Sequence, residues 1–77
     1  MNITLITTST CPHCARAKVL LDGKGLAYEE QVMDDRQEQL HEAKQKWGHP
    51  SVPIVIIDGQ LIGGASELVE FEAAGKL

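Results

Sequence analysis

Only two cysteines occur in these 77 residues, and the shortage of thiols limits what the pair can do. A structural zinc site takes four protein ligands. With no third cysteine, His13, His41 and His49 would have to complete it, and His13 lies inside the loop between the sulfurs. Covalent haem needs a histidine directly after the second cysteine; Ala15 stands there, which excludes it. Long apolar runs are missing too. The longest, Ile54 to Ile57, has four residues, far short of a membrane span. The start, Met1-Asn2-Ile3-Thr4-Leu5-Ile6, has neither a basic segment nor a small-residue cleavage pattern, so no signal peptide is expected. The expected location is therefore cytoplasmic and reducing, where a close cysteine pair serves catalysis or metal rather than a permanent bridge. No basic stripe exists either: seven Lys+Arg are dispersed among eleven Asp+Glu, a net charge of −4. That balance argues against nucleic acid and anionic membranes as partners.

What is present reads as one domain, residues 1–77, without repeats or linkers. Ile3-Thr4-Leu5-Ile6-Thr7 is strand-like and ends in the polar cluster Thr8-Ser9-Thr10. Pro12 suits the first turn of a helix, which continues through Ala17, Leu20 and Leu21 and stops at Gly23 to Gly25. A second strand is expected over Ala27 to Val32. Asp34-Asp35 then offers an N-cap to an amphipathic helix over Arg36 to Trp47. Ile54 to Ile57 reads as a buried strand, Asp58-Gly59 as a two-residue hairpin turn and Gln60 to Ile62 as its return. Gly63-Gly64 breaks the chain before a last helix, roughly Ser66 to Ala74. The order is β-α-β-α-β-β-α, an α/β arrangement with a parallel pair followed by an antiparallel hairpin.

Cys11-Pro12-His13-Cys14 is the motif that carries chemistry. The thiolate is the nucleophile of disulfide exchange. The Pro12 argument puts Cys11 at the N-cap, where unpaired N–H groups and the positive helix end favour negative charge. Cys14 lies one turn in, within disulfide reach and more buried. Cys11 is thus the expected attacking sulfur and Cys14 the resolving one, with Pro12 and His13 tuning the pair. An imidazole beside Cys11 would stabilise the thiolate and make the disulfide more oxidising, at about −200 mV or higher.

Three blocks stand in order along the chain: Thr10-Cys11-Pro12-His13-Cys14, Ser51-Val52-Pro53 and Ile62-Gly63-Gly64. Arg16-Ala17-Lys18, Leu20-Leu21 and Ile57-Asp58-Gly59 lie between them. Together, over nearly the whole length, they resemble a dithiol glutaredoxin. The resemblance implies a thioredoxin-like fold, a four-stranded mixed sheet flanked by three helices. It implies a cis bond before Pro53, facing the cysteine pair. It also implies a glutathione site built from Ser51, Val52, Pro53, Gly64, Ala65, Ser66 and Glu67, in which backbone N–H groups at a helix start hold the γ-glutamyl carboxylate. The chain departs from the family pattern at His13, where Tyr is usual, and at Thr8, where many members carry Lys. It departs again at Ala65-Ser66-Glu67, where Cys-Asp-Asp or Cys-Ser-Asp is common, and mildly at Ser51, where Thr is common.

The implied activity is glutathione-linked reduction of protein disulfides and glutathione mixed disulfides, with glutathione as co-substrate, no bound cofactor or metal, and a monomeric protein. Two other implications stand beside it. One is an electron donor served by thioredoxin reductase for a dedicated protein such as ribonucleotide reductase. The other is an iron–sulfur binding module, which Pro12 disfavours because cluster-binding members usually lack that proline. Among the remaining residues, Trp47 reads as core packing in the Leu40/Ala43 register. His41 and His49 read as solvated and without a role. Asp34-Asp35 reads as a helix start rather than a metal site, and Lys44 and Lys46 as a solvated helix face.

Overall fold

The computed structural model describes residues 1–77. Seven elements follow in order: β1 (Ile3–Thr7), α1 (Pro12–Gly23), β2 (Glu29–Val32), α2 (Gln37–Trp47), β3 (Ile54–Ile57), β4 (Gln60–Gly63) and α3 (Ala65–Ala73). They form one mixed sheet in the order β2-β1-β3-β4. β1 runs parallel to β2 and antiparallel to β3, with Ile3 opposite Ile57 and Ile6 opposite Ile54. β3 and β4 pair antiparallel, with a register irregularity between Val55 and Ile56. This is the thioredoxin-like arrangement that the blocks imply.

Strand alternation divides the apolar residues between the two faces of the sheet. Ile3, Leu5, Val55 and Ile57 face α1 and α3, where they meet Ala17, Leu21, Ala65 and Leu68. Ile6, Ile54 and Ile56 face the other way, toward Met33 and Leu40, with Ala43, Trp47 and Val52 packed against them. Trp47 therefore belongs to the second core, as its register suggests. β3 is buried along its whole length because it has a core on each side, which explains its unbroken apolar run. Each fully buried leucine, such as Leu21 and Leu68, contributes about 1.5–3 kcal/mol by leaving water.

The turns follow from residue type. Asp58 and Gly59 both have positive φ, 50° and 79°, as a tight hairpin of this twist requires. The Asn2 N–H donates to the Asp58 carboxylate at 2.7 Å, which ties the turn to the start of β1.

Two expectations need correction. The second strand begins at Glu29, not Ala27: Tyr28 leans instead against the α1/α3 core. Asp34-Asp35 does not cap α2. Arg36 occupies that N-cap and makes no side-chain cap bond. Asp34 is engaged elsewhere, its carboxylate accepting the Ser9 N–H at 2.9 Å. The Ser9 hydroxyl first, and this backbone bond second, hold the Asp34 carboxyl below its usual range, and the contact pins the loop after β1 to the turn after β2.

Candidate active site

The site lies where β1 ends, β3 begins and two helices start. Cys11 is the N-cap of α1, with extended backbone (φ −98°, ψ 109°), and Pro12 follows at N1. The Cys14 N–H donates to Cys11 Sγ at 3.2 Å, and the Ala15 N–H to the Cys11 carbonyl at 3.2 Å. The sulfur thus does what a serine or aspartate oxygen does at other helix starts. On its far side the Cys11 thiol donates to the Val52 carbonyl at 3.6 Å. The Val52–Pro53 bond is cis, and Pro53 is fully buried. The Val52 N–H has no partner within the chain.

The two sulfurs differ sharply in environment. Cys11 is half-buried, whereas Cys14 is 1% exposed. Burial pushes the Cys14 thiol up to about 12, and a hydrogen bond with Cys11 adds to the effect. The Thr8 N–H and the Lys18 charge act the other way and are outweighed. Cys14 is therefore protonated at neutral pH, and the half-exposed Cys11 is the more accessible of the two sulfurs.

One turn further along α1, Lys18 Nζ lies 3.0 Å from Glu30 Oε2. The buried Thr7 hydroxyl donates to the same oxygen at 2.7 Å. The Thr7 hydroxyl first, and Lys18 second, lower the Glu30 carboxyl. This bridge fastens α1 to β2 directly behind the site.

Beyond Val52 the surface opens into a groove lined by His13, His49, Ser51, Val52, Pro53, Gly64, Ala65, Ser66 and Glu67. All seven residues that the resemblance assigns to a glutathione site line it, although they come from two segments of the chain. The groove holds about 190 Å³. That is less than the roughly 300–1,000 Å³ of pockets that enclose a drug-sized ligand, so a peptide-sized ligand would lie along it with one face in water.

At the far end of the groove Gly64 is the N-cap of α3. Its N–H donates to Glu67 Oε1 at 2.8 Å, and its carbonyl accepts the Leu68 N–H at 3.0 Å. The N–H groups of Ala65, Ser66 and Glu67 make no bond within the chain. They are three of the four donors that a helix start leaves unpaired, beside the positive end of the helix dipole. Gly63 permits this geometry. Its φ is +127°, and a Cβ there would sit 2.7 Å from the Glu67 Cγ, so only glycine lets Glu67 fold back.

His49, read from sequence as solvated, is part of this groove. Its side chain is 17% exposed. Its Nδ1 lies 2.7 Å from the Ser51 carbonyl, and its Nε2 lies 3.8 Å from Glu67 Oε1. No local pattern around Gly48-His49-Pro50 marks this, because the partner lies eighteen residues ahead. His41, Lys44 and Lys46 stay outside the groove; Lys46 rests over the Trp47 ring at 5.2 Å.

Comparison with known proteins agrees with this geometry. The family model for glutaredoxin matches residues 3–62. Glutaredoxin 3 of Escherichia coli K12 is 38% identical over 76 residues, covering 99% of this chain and 92% of the relative. Among solved structures, a buckwheat glutaredoxin–glutathione complex superposes with a TM-score of 0.89 at 29% identity, covering 97% of this chain and 71% of that one. A dithiolic glutaredoxin from Trypanosoma brucei brucei superposes at 0.84 with 35% identity, covering 97% and 80%. With a half-exposed thiol over a buried one, and with similarity of this extent in sequence and fold, the chain belongs to the glutaredoxin family of thiol oxidoreductases.

Proposed function

We propose that this protein is a glutathione-linked thiol–disulfide oxidoreductase that reduces protein disulfides and glutathione mixed disulfides. One observation carries the reading. Cys11 Sγ, the Val52 backbone and the groove form one continuous track, with Sγ bonded to the Val52 carbonyl at 3.6 Å. An extended peptide with its own sulfur at Cys11 could pair with the free Val52 N–H and set a terminal carboxylate on the open N–H groups of α3. The buckwheat relative was solved with glutathione, which supports this choice of ligand.

On this reading Cys11, as thiolate, attacks one sulfur of the substrate disulfide. A Cys11–substrate disulfide forms, and the other substrate sulfur leaves as a thiolate. Cys14 then gives up its proton and attacks Cys11 Sγ. The Cys11–Cys14 disulfide forms, and the departing product sulfur takes a proton. Two glutathione molecules restore the dithiol and leave as glutathione disulfide. Where the substrate is a glutathione mixed disulfide, a second glutathione can discharge Cys11 and Cys14 is not needed. His13, exposed on the first turn of α1 and facing the groove, is assigned the tuning of the pair together with Pro12. The reading goes with a monomeric protein in the reducing cytoplasm.

The test is a glutathione-coupled assay on two variants. Cys11→Ser should lose all turnover. Cys14→Ser should keep deglutathionylation while losing reduction of protein disulfides. Turnover in Cys11→Ser at the wild-type rate would overturn the mechanism.

A further inference from the structure

The groove carries a charge problem that one residue is placed to solve. A ligand carboxylate directed to the start of α3 meets three open N–H groups, but it also meets Glu67, whose carboxylate is folded back over Gly64. No lysine or arginine lines the groove; its only basic side chains are His13 and His49. Thr8, three residues before Cys11, carries no charge. Of the two imidazoles, His49 lies beside Glu67, with Nε2 3.8 Å from Oε1. The position that a Gly64 Cβ would take is 3.5 Å from its ring.

The His49 ring is also held in place. Donation from Nδ1–H to the Ser51 carbonyl at 2.7 Å fixes which nitrogen faces Glu67. The His49 N–H donates to the Lys44 carbonyl at 3.1 Å, after the left-handed Gly48 that ends α2 (φ +65°). His49 thus touches the last turn of α2, the loop before cis-Pro53 and the start of α3.

We propose that His49 is a specificity residue: when protonated it offsets the Glu67 charge beside it, so that the groove selects carboxylate-bearing thiols and disulfides. The inference rests on the glutathione reading and adds the pH dependence of that ligand's capture. The charged groups around the ring are few. Glu67 faces it from α3, and His13 shares the groove from α1. α2 meets the His49 backbone N–H through the Lys44 carbonyl, and the Ser51–Pro53 loop has no charged side chain. Imidazoles gain their charge as pH falls from 8 to 5, whereas a ligand carboxylate stays ionised at pH 5.5. With both histidines neutral, the formal charge of the groove side chains is that of Glu67 alone. Each protonation moves it one unit toward the sign an anion prefers, so affinity rises with acid.

The experiment is calorimetric binding of S-methylglutathione, which cannot exchange, to the full-length protein at pH 5.5 and 8.0. Wild type should bind roughly three- to fivefold more tightly at pH 5.5, the scale of one partly exposed ion pair. His49→Gln should lose most of the ratio, its affinity at pH 5.5 falling close to the wild-type value at pH 8.0. His49→Lys should hold the tighter value at both, and His13→Gln should keep most of the ratio. A wild-type ratio of one, or a full ratio retained in His49→Gln, would overturn the role of His49 and leave the glutathione reading standing. No binding at either pH would remove both.

Discussion

Two helices begin at the site, and they treat their unpaired N–H groups differently. At α1, Pro12 has no N–H to offer, Cys14 gives its N–H to Cys11 Sγ and Ala15 gives its own to the Cys11 carbonyl, which leaves only His13 open. At α3, Gly64 has no side chain to act as a cap, and the N–H groups of Ala65, Ser66 and Glu67 all stay free. One helix start is filled by a reacting sulfur from its own chain. The other has no side-chain cap from its own chain and sits at the end of a groove. The same backbone physics therefore leaves a capped helix start at one place and a row of free donors at the other, according to what the N-cap residue carries.

The largest effect expected from this contrast is in thiol reactivity. With its thiol pushed up to about 12, Cys14 stays protonated at pH 7. Mass spectrometry after iodoacetamide treatment of the reduced protein at pH 7 should show one alkylation, at Cys11. Modification of Cys14 should begin only as pH rises toward its own titration. Equal labelling of both cysteines at neutral pH would erase the distinction between attacking and resolving sulfur.

The next effect comes from making α3 resemble α1. Ala65→Pro copies Pro12 at the first helical position, where proline is tolerated, and Gly64 already has the extended backbone that precedes it well. It deletes one open donor. A hydrogen bond to a charged group contributes about 1.5–3 kcal/mol, so KM for a glutathione mixed disulfide should rise about tenfold or more. The rate of Cys11 alkylation should not change. An unchanged KM in a variant with wild-type melting behaviour would show that α3 receives nothing.

The smallest effect concerns the bridge behind α1. Folding lowers the Glu30 carboxyl, chiefly through the Thr7 hydroxyl and then through Lys18. A lowered carboxyl contributes stability above the unfolded value of about 4.3 and loses it as pH falls through the folded value. Glu30→Gln should therefore be less stable than wild type at pH 7, by about 0.5–1 kcal/mol for a partly exposed pair. The difference should shrink toward zero as pH falls through the lowered folded value. Urea titrations at pH 7 and in acid measure it; a gap that persists in acid would mean that Glu30 acts through packing rather than charge.

How much of this was legible in the sequence depended on the range of each interaction. Cys11 as N-cap and Pro12 at N1 follow from adjacent residues, as do the Asp58-Gly59 turn and the buried strand Ile54 to Ile57, and all four stand in the structure. Ser51 to Pro53 was legible as a family block and Gly64 to Glu67 only as the site that the resemblance implies, since Ala65-Ser66-Glu67 departs from the family pattern; the fold brings both segments to one groove. The misplaced features share a cause. Asp34 has the residue type of a helix cap, but a bond to Ser9 across the fold takes its carboxylate. His49 looks like an ordinary loop residue until α3 arrives beside it. Glu67 has a further consequence, since one carboxylate now closes the Gly64 amide and charges the groove wall. Propensity and periodicity describe neighbours in the chain, and these residues take their roles from neighbours in space.

The interior position of Cys14 also governs how the protein would be reset. An oxidised pair would offer an incoming thiol only the sulfur at the surface. Discharge and recharge would then pass through the same atom and the same groove, in opposite order. Such a catalyst has no built-in direction; it works as a two-way valve, and the surrounding balance of thiol and disulfide decides which way electrons flow.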